Sequence, residues 1–144
     1  MTTTSLREIA GTIQSQHTIE GGGFNVRRPF PTAQLDQIDP FLLIHHHANH
    51  MPAGTDRWNA GVGPHPHRGF SPVTFMWSGG VHHRDSRGNN SVVDDGGVQW
   101  MDAGLGIIHS ERPPAKLAEE GGMQEIIQIA TDKHNGLYDI TKHI

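Results

Sequence analysis

Residues 70–93, FSPVTFMWSGGVHHRDSRGNNSVV, are the stretch of sequence that indicates the fold. Large apolar side chains take every second position in Val73, Phe75 and Trp77, which is the pattern of a strand with one buried face. Two turn segments divide this stretch into strands: Gly79-Gly80, and residues 87–90. Both contain glycine or asparagine, which adopt left-handed turn conformations readily. The stretch therefore predicts short strands joined by tight turns.

Similar strands are expected on both sides of this stretch. The predicted strands are 41–44, 70–78, 81–86, 91–93, 98–101, 107–111 and 124–130. A segment rich in Pro, Gly and Asn before His65 is interpreted as a loop, and the best helix candidate is 114–120, of one or two turns. Six or seven strands at this spacing predict an all-β chain that folds as a single antiparallel β-barrel or double-stranded jelly roll.

The composition limits the classes of function. The 144 residues suit one domain, 1–144. With 11 basic and 15 acidic residues the net charge is −4, which argues against direct nucleic-acid binding. The absence of Cys excludes disulfides and thiolate metal sites. No apolar run approaches the length of a membrane span, and the first residues lack the apolar core of a signal peptide. We therefore expect a cytoplasmic protein without a membrane partner.

Histidine is in clear excess, with 12 copies, and two short motifs place it at ligand spacing. They are His65-Pro66-His67 and His109-Ser110-Glu111. Residues i and i+2 of an extended segment point to the same face, so each motif presents two donors. If the two segments lie side by side, three imidazoles and one carboxylate converge. Fe, Mn, Ni or Zn accepts that donor set and keeps open positions for substrate, water or dioxygen.

The remaining histidines carry weaker signals. His45-His46-His47 could chelate a second metal, but consecutive strand residues alternate faces, so at most two of the three converge. A solvated segment or a lining of the barrel mouth is the favoured interpretation. His83 is a candidate to orient a metal ligand. Trp100 and Met101 are interpreted as core residues.

Longer motifs resemble pirin-like proteins of the cupin superfamily. They are GPHPHRGF at 63–70, HRDS at 83–86, QWMDAG at 99–104, GIIHSE at 106–111 and DPFLL at 39–43, and they cover residues 39–114 almost continuously. The resemblance implies the N-terminal barrel of a bicupin, which holds iron by the two His of H-P-H and the His and Glu of H-S-E. Carried over, these ligands are His65, His67, His109 and Glu111, the same four that the spacing selects.

The chain departs from that family pattern in two ways. Ser71-Pro72 stands where most members have a Glu, but pirins take their carboxylate ligand from H-S-E, so the site is expected to persist. The family has two barrels, whereas this chain has the length of one. We expect residues 1–38 to form N-terminal strands or an arm. Residues 124–144 are expected to form a C-terminal strand or arm at the interface of a homodimer.

The resemblance implies two functions and leaves both open. One is a quercetin 2,3-dioxygenase that cleaves a flavonol, a small aromatic substrate, with dioxygen, and Glu111 is then the catalytic base. The other is an iron-binding regulatory protein that acts through protein partners. A third interpretation is an inactive piece of a larger pirin. One divalent ion is expected, with Fe(II) favoured and Mn, Ni, Zn, Cu or Co as alternatives. All three interpretations have the same fold and the same ligand set, so these two features do not distinguish them. The difference in function depends on the shape of the pocket.

Overall fold

The structure is a computed structural model, and it describes residues 8–20 and 24–132. These residues form ten strands and one short helix. In chain order they are β1 Gln16–Glu20, β2 Phe24–Phe30, β3 Phe41–Met51, β4 Val62–His67, β5 Phe70–Ser78, β6 Val81–Asp85, β7 Asn90–Val93, β8 Val98–Trp100, β9 Ile107–Arg112, α1 Ala115–Glu120 and β10 Gly122–Asp132.

The strands form two antiparallel sheets. The larger sheet has the order β1-β2-β3-β10-β5-β8, and the smaller has the order β4-β9-β6-β7. Strands that are distant in the chain are therefore neighbours, as in β4 beside β9 and β3 beside β10. Two antiparallel sheets with such crossovers are typical of a cupin jelly roll. The all-β prediction is confirmed.

Two strands extend beyond the predicted limits. The strand predicted over 41–44 continues to Met51, because β10 pairs with it from Phe41 to Met51 and β2 lies on its other edge. Strand β4 begins at Val62, inside the predicted loop, because β9 pairs with it. Both corrections have the same reason: pairing with a distant strand overrides the weak strand preference of His, Asn, Gly and Pro.

The turn at Gly79-Gly80 is confirmed, and its geometry requires glycine. The two residues have φ values of +81° and +70°. A Cβ atom at Gly79 would lie 2.5 Å from the carbonyl oxygen of Met123, and one at Gly80 would lie 2.5 Å from that of Val93. A residue with a side chain rarely adopts these φ values and would not fit at either position. These glycines therefore set the position at which β5 ends and β6 begins.

Two apolar clusters form the core of the part of the chain that the structure describes. Met76, Val81 and Ile126 form one, with Phe24 and Val93 packed against it. Met101, Ala103 and Ile107 form the other. The prediction that Met101 is a core residue is confirmed.

The same prediction is wrong for Trp100, which is 74% exposed. Gln99 of the edge strand β8 is buried. Side chains alternate along a strand, so the neighbouring Trp100 points away from the core.

The predicted helix is confirmed as α1, which follows Pro114 and has six residues. Within residues 8–20 and 24–132, no helix has the length and apolar character needed to cross a membrane. The N-terminal region contributes the hairpin β1-β2. Residues 124–132 belong to the central strand β10, whereas 133–144 lie outside the described residues, as do 1–7 and 21–23. The homodimer and the division into domains stay predictions.

Candidate metal centre

Three of the four predicted ligands come together where β4 lies beside β9. His65 and His109 are opposite each other in the antiparallel pair, and His67 follows two residues along β4. One ring nitrogen from each of the three residues lies within 4.8 Å of the others. The ring centroids of His65 and His109 are 4.3 Å apart. The i, i+2 spacing therefore produces a compact group of three imidazoles.

The imidazoles of His67 and His109 are uncharged at neutral pH. Burial, together with the neighbouring His65, lowers the pKa of His67 to about 4. Burial, followed by the proximity of His65 and His67, lowers the pKa of His109 to about 3. Neutral imidazole is the form that binds a metal ion, so these side chains need not lose a proton before coordination.

The unpaired nitrogens in this group are the atoms that would coordinate a metal. His65 donates its Nδ1–H to the carbonyl oxygen of Gly63 at 2.8 Å, which leaves its Nε2 lone pair free. The Nε2 atoms of His67 and His109 are buried and have no hydrogen-bond partner. Buried polar atoms are normally satisfied, and a divalent ion would satisfy all three. The donor set therefore fits a metal.

Glu111 is not part of the group of three close donors. Its side chain is buried and accepts a hydrogen bond from Nε2 of Gln99 at 2.9 Å. Burial raises the pKa of this carboxyl group, although the nearby His65 and the bond from Gln99 act in the opposite direction. Glu111 lies on the same cavity wall as His65 and His67. This position supports a role as a fourth ligand, which is a proposal.

A cavity of about 250 Å³ lies beside the histidines. Most of its wall is apolar. The lining residues are Glu20, Phe24, Val26, Leu43, His45, His47, Val62, His65, His67, Glu111, Ile126 and Gln128. They come from both sheets, so the cavity lies between the sheets.

Two histidines of the 45–47 run line this cavity, as the barrel-mouth interpretation predicts. The third, His46, points to the other face, where its Nε2 lies 2.9 Å from Glu125. His47 stacks on Phe24, with ring centroids 3.8 Å apart, and its Nδ1 hydrogen-bonds to the carbonyl oxygen of Asn25 at 2.7 Å. His47 is therefore held by protein contacts of its own.

His83 also belongs to this site. The sequence analysis named it as a candidate to orient a metal ligand. Strand β6 pairs with β9, which places His83 against His109 with 3.3 Å between their Nδ1 atoms. On its other side His83 contacts Asp85, at 3.0 Å between Nε2 and Oδ2. Sequence reasoning missed Asp85, and its signal was the i, i+2 spacing from His83 on a predicted strand.

Comparison with known proteins agrees with this architecture. Residues 23–129 match the family model described as Pirin. A pirin-like protein of Caulobacter vibrioides is 35% identical over 119 residues, which cover 83% of this chain and 42% of the relative. The chain thus spans less than half the length of this relative.

Solved structures give the same result. The quercetin 2,3-dioxygenase from Acinetobacter baumannii superposes with a TM-score of 0.79 at 36% identity, over 89% of this chain and 45% of that one. The bacterial pirin YhhW from Escherichia coli, solved in complex with nickel(II), has a TM-score of 0.62 at 28% identity, over 86% and 51%. Because the family match includes all the strands that carry the three histidines, the chain belongs to the pirin family of cupin proteins.

Proposed function

We propose that this chain is a pirin-like, metal-binding cupin that acts as a quercetin 2,3-dioxygenase-type oxidoreductase, which cleaves a flavonol with dioxygen at a mononuclear centre. The observation that carries the proposal is the group of His65, His67 and His109, whose free ring nitrogens converge beside a largely apolar cavity. A catalytic metal needs protein ligands on one side and open positions on the other. The match to the Acinetobacter dioxygenase supports the choice of reaction.

The proposed ligands are the three histidines together with Glu111. Fe(II) is the favoured ion, because imidazole and carboxylate ligands with open positions are the donor set of non-heme iron oxygenases. Mn, Ni, Zn, Cu and Co accept similar donors, and the E. coli relative was solved with nickel. When bound, the metal would polarise the substrate oxygens and provide the site for dioxygen chemistry.

Glu111 is the proposed general base. A raised pKa brings a carboxylate closer to neutral pH, where it accepts a proton most effectively. Its role is to take the proton of the flavonol 3-hydroxyl group. The amide of Gln99 holds the carboxylate, so the proton acceptor stays oriented.

The cavity supports a planar aromatic substrate. Phe24, Val26, Leu43 and Ile126 supply apolar wall, and His45 offers a polar group among them. A volume of about 250 Å³ lies near the lower limit of ligand pockets, about 300 Å³, which suits a flat ring system better than a bulky ligand.

The test is turnover by protein loaded anaerobically with Fe(II) and mixed with quercetin and air. We expect a prompt loss of flavonol absorbance. Glu111→Gln should reduce turnover more than metal content, because an amide cannot accept the proton at neutral pH. If the native protein retains iron but leaves quercetin intact, the alternative of an iron-binding regulatory protein replaces the enzyme.

We also propose that the outer face of the six-stranded sheet pairs with a second copy of the chain in the cytoplasm. Trp77 of β5 is 58% exposed, and Val98 and Trp100 of the adjacent β8 are 48% and 74% exposed. Ile127 of β10 lies beside Phe75 on the same sheet. An apolar face of this kind is unusual on a monomer, and a two-fold axis would cover it on both copies.

Light scattering at low micromolar concentration tests the homodimer. We expect twice the chain mass, and a shift toward 15.8 kDa on replacing Trp77 and Trp100 with Ser. A native mass of 15.8 kDa would exclude the dimer.

A further inference from the structure

We propose that Asp85 and His83 are positioning residues that fix His109 in the tautomer with a free Nε2, and so prepare it as a metal ligand. The inference rests on the proposed metal centre. It concerns two residues that do not themselves belong to the group of three donors, and it follows from a continuous chain of contacts between buried side chains.

The chain of contacts begins at Asp85, whose side chain is only 2% exposed. Its Oδ1 accepts hydrogen bonds from the backbone N–H groups of Arg87 at 2.8 Å and Asn89 at 3.1 Å. Its Oδ2 accepts one from the side-chain amide of Asn89 at 2.7 Å. All of these partners are donors, so the carboxylate is held as an acceptor.

Asp85 is ionised. Burial by itself would raise its pKa, but the hydrogen bonds from Asn89, His83 and the backbone of Arg87 outweigh that effect, and the pKa lies well below its ordinary value. An ionised carboxylate donates nothing. The nitrogen of His83 that faces it at 3.0 Å, Nε2, must therefore carry a hydrogen.

The proton on Nε2 of His83 determines the next contact. In the neutral form of His83, the one N–H is on Nε2 and the lone pair is on Nδ1, so Nδ1 is an acceptor. The group facing it at 3.3 Å is Nδ1 of His109, which must then be the donor. With its hydrogen on Nδ1, neutral His109 has a lone pair on Nε2, the buried atom that lacks a protein partner.

The hydrogen bonds from His109 through His83 to Asp85 form a relay. This relay fixes the tautomer of His109, whereas a backbone carbonyl fixes the tautomer of His65. His65 donates its Nδ1–H to the carbonyl of Gly63, which lies two residues away on the same strand. His109 faces another imidazole, which accepts or donates equally well. Only a fixed acceptor beyond His83 removes this ambiguity, and the outer partners of metal-binding histidines commonly have that role.

Asp85→Asn tests the relay with little change in shape. The two backbone N–H groups require an oxygen at the Oδ1 position, so the new amide nitrogen must face His83. That nitrogen is a donor. It would reverse the hydrogen bonds through His83 and leave the hydrogen of His109 on Nε2, where it blocks coordination.

The primary measurement is the tautomer of His109 in the metal-free protein, from long-range proton–nitrogen NMR correlations at neutral pH. We expect Nδ1–H in the native protein and Nε2–H in Asp85→Asn. Native His109 with its hydrogen on Nε2 would overturn the proposal, and this result needs no variant to fold. An unchanged tautomer in a folded Asp85→Asn would overturn it as well.

The second measurement is zinc affinity by competition with a chelator. Asp85→Asn should weaken binding by about 10–100-fold, the usual cost of losing an outer partner. Asp94→Asn, on the turn after β7, is the matched control and should bind zinc like the native protein. Equal affinity of the two variants would contradict the relay. Failure to oxidise quercetin would leave the tautomer result intact, so the proposed function and this inference fail separately.

Discussion

Two strands of this protein each present a pair of histidines to the same cavity, but only one pair forms part of a metal-site candidate. His65 and His67 lie on β4, and His45 and His47 lie on β3. The spacing within the two pairs is identical, and all four side chains are at least partly buried. The first pair has a third imidazole within reach, and the second has none in the described ranges 8–20 and 24–132.

The difference lies in the strand on the opposite side of each pair. His65 faces His109 across the β4–β9 pair. On β10, the residues opposite His45 and His47 are Gln128 and Ile126, neither of which coordinates a metal well. His47 is also engaged by Asn25 and Phe24. An H-x-H motif on a strand therefore supplies two donors, and the partner strand decides whether they become a site.

The largest expected effect is on metal content. His109→Ala should lower the affinity for one divalent ion by more than the about 10–100-fold that outer partners contribute, because it removes a ligand. His45→Ala, on the other pair, is the matched control and should keep one ion per chain. Elemental analysis after dialysis measures both. Full occupancy in His109→Ala would show that the ion binds elsewhere.

The next effect is the acid sensitivity of the metal-free protein. Unfolded histidine has a pKa of about 6.5, whereas His67 and His109 have values of about 4 and 3 in the folded chain. Between these values the unfolded chain binds more protons, so the free energy of unfolding falls as the pH drops below about 6.5. Glu111, with its raised pKa, opposes this trend but is a single group.

Thermal unfolding followed by circular dichroism between pH 7 and pH 5, with a chelator present, measures this dependence. The native melting temperature should fall with pH, and it should fall less in His109→Ala. Identical slopes in the two proteins would mean that His109 does not have a lowered pKa.

A smaller effect separates stability from metal binding. His47→Ala removes the stacking on Phe24 and leaves the carbonyl of Asn25 without its partner, so we expect a loss of about 1–3 kcal/mol in the free energy of unfolding. Metal content should not change. Urea denaturation and elemental analysis on the same sample test both statements, and a loss of metal without a loss of stability would reverse the comparison.

The smallest effect concerns the outward-facing histidine of the same strand. His46 pairs with Glu125 near the surface, at 2.9 Å. A half-exposed contact between polar side chains contributes at most about 1 kcal/mol, so His46→Ala should lower the free energy of unfolding by no more than that. A larger loss in urea denaturation would show that this face is covered in solution, as a homodimer requires.

The sequence predicted the strand class, because it follows from local alternation and turn chemistry. The alternation in β5 marked Val73, Phe75 and Trp77 as the buried face, but Thr74 and Met76 are buried instead and Trp77 is 58% exposed. Residues 70–78 and 107–111 are strands at the predicted places. It failed at His45 to Met51, whose strand depends on pairing with β10, and at Trp100, whose direction depends on how β8 pairs with β5. Neither partner is local in the chain.

For the site, the sequence by itself determined which residues are donors and that each H-x-H or H-x-E pair shares a face, since both are properties of an extended backbone. Only the tertiary structure decided which pairs meet. It placed His65 opposite His109, left His45 opposite Gln128, and put Glu111 in a hydrogen bond with Gln99. The reason is physical: strand register is a long-range property, fixed by sheet order, and no local pattern in the chain encodes it.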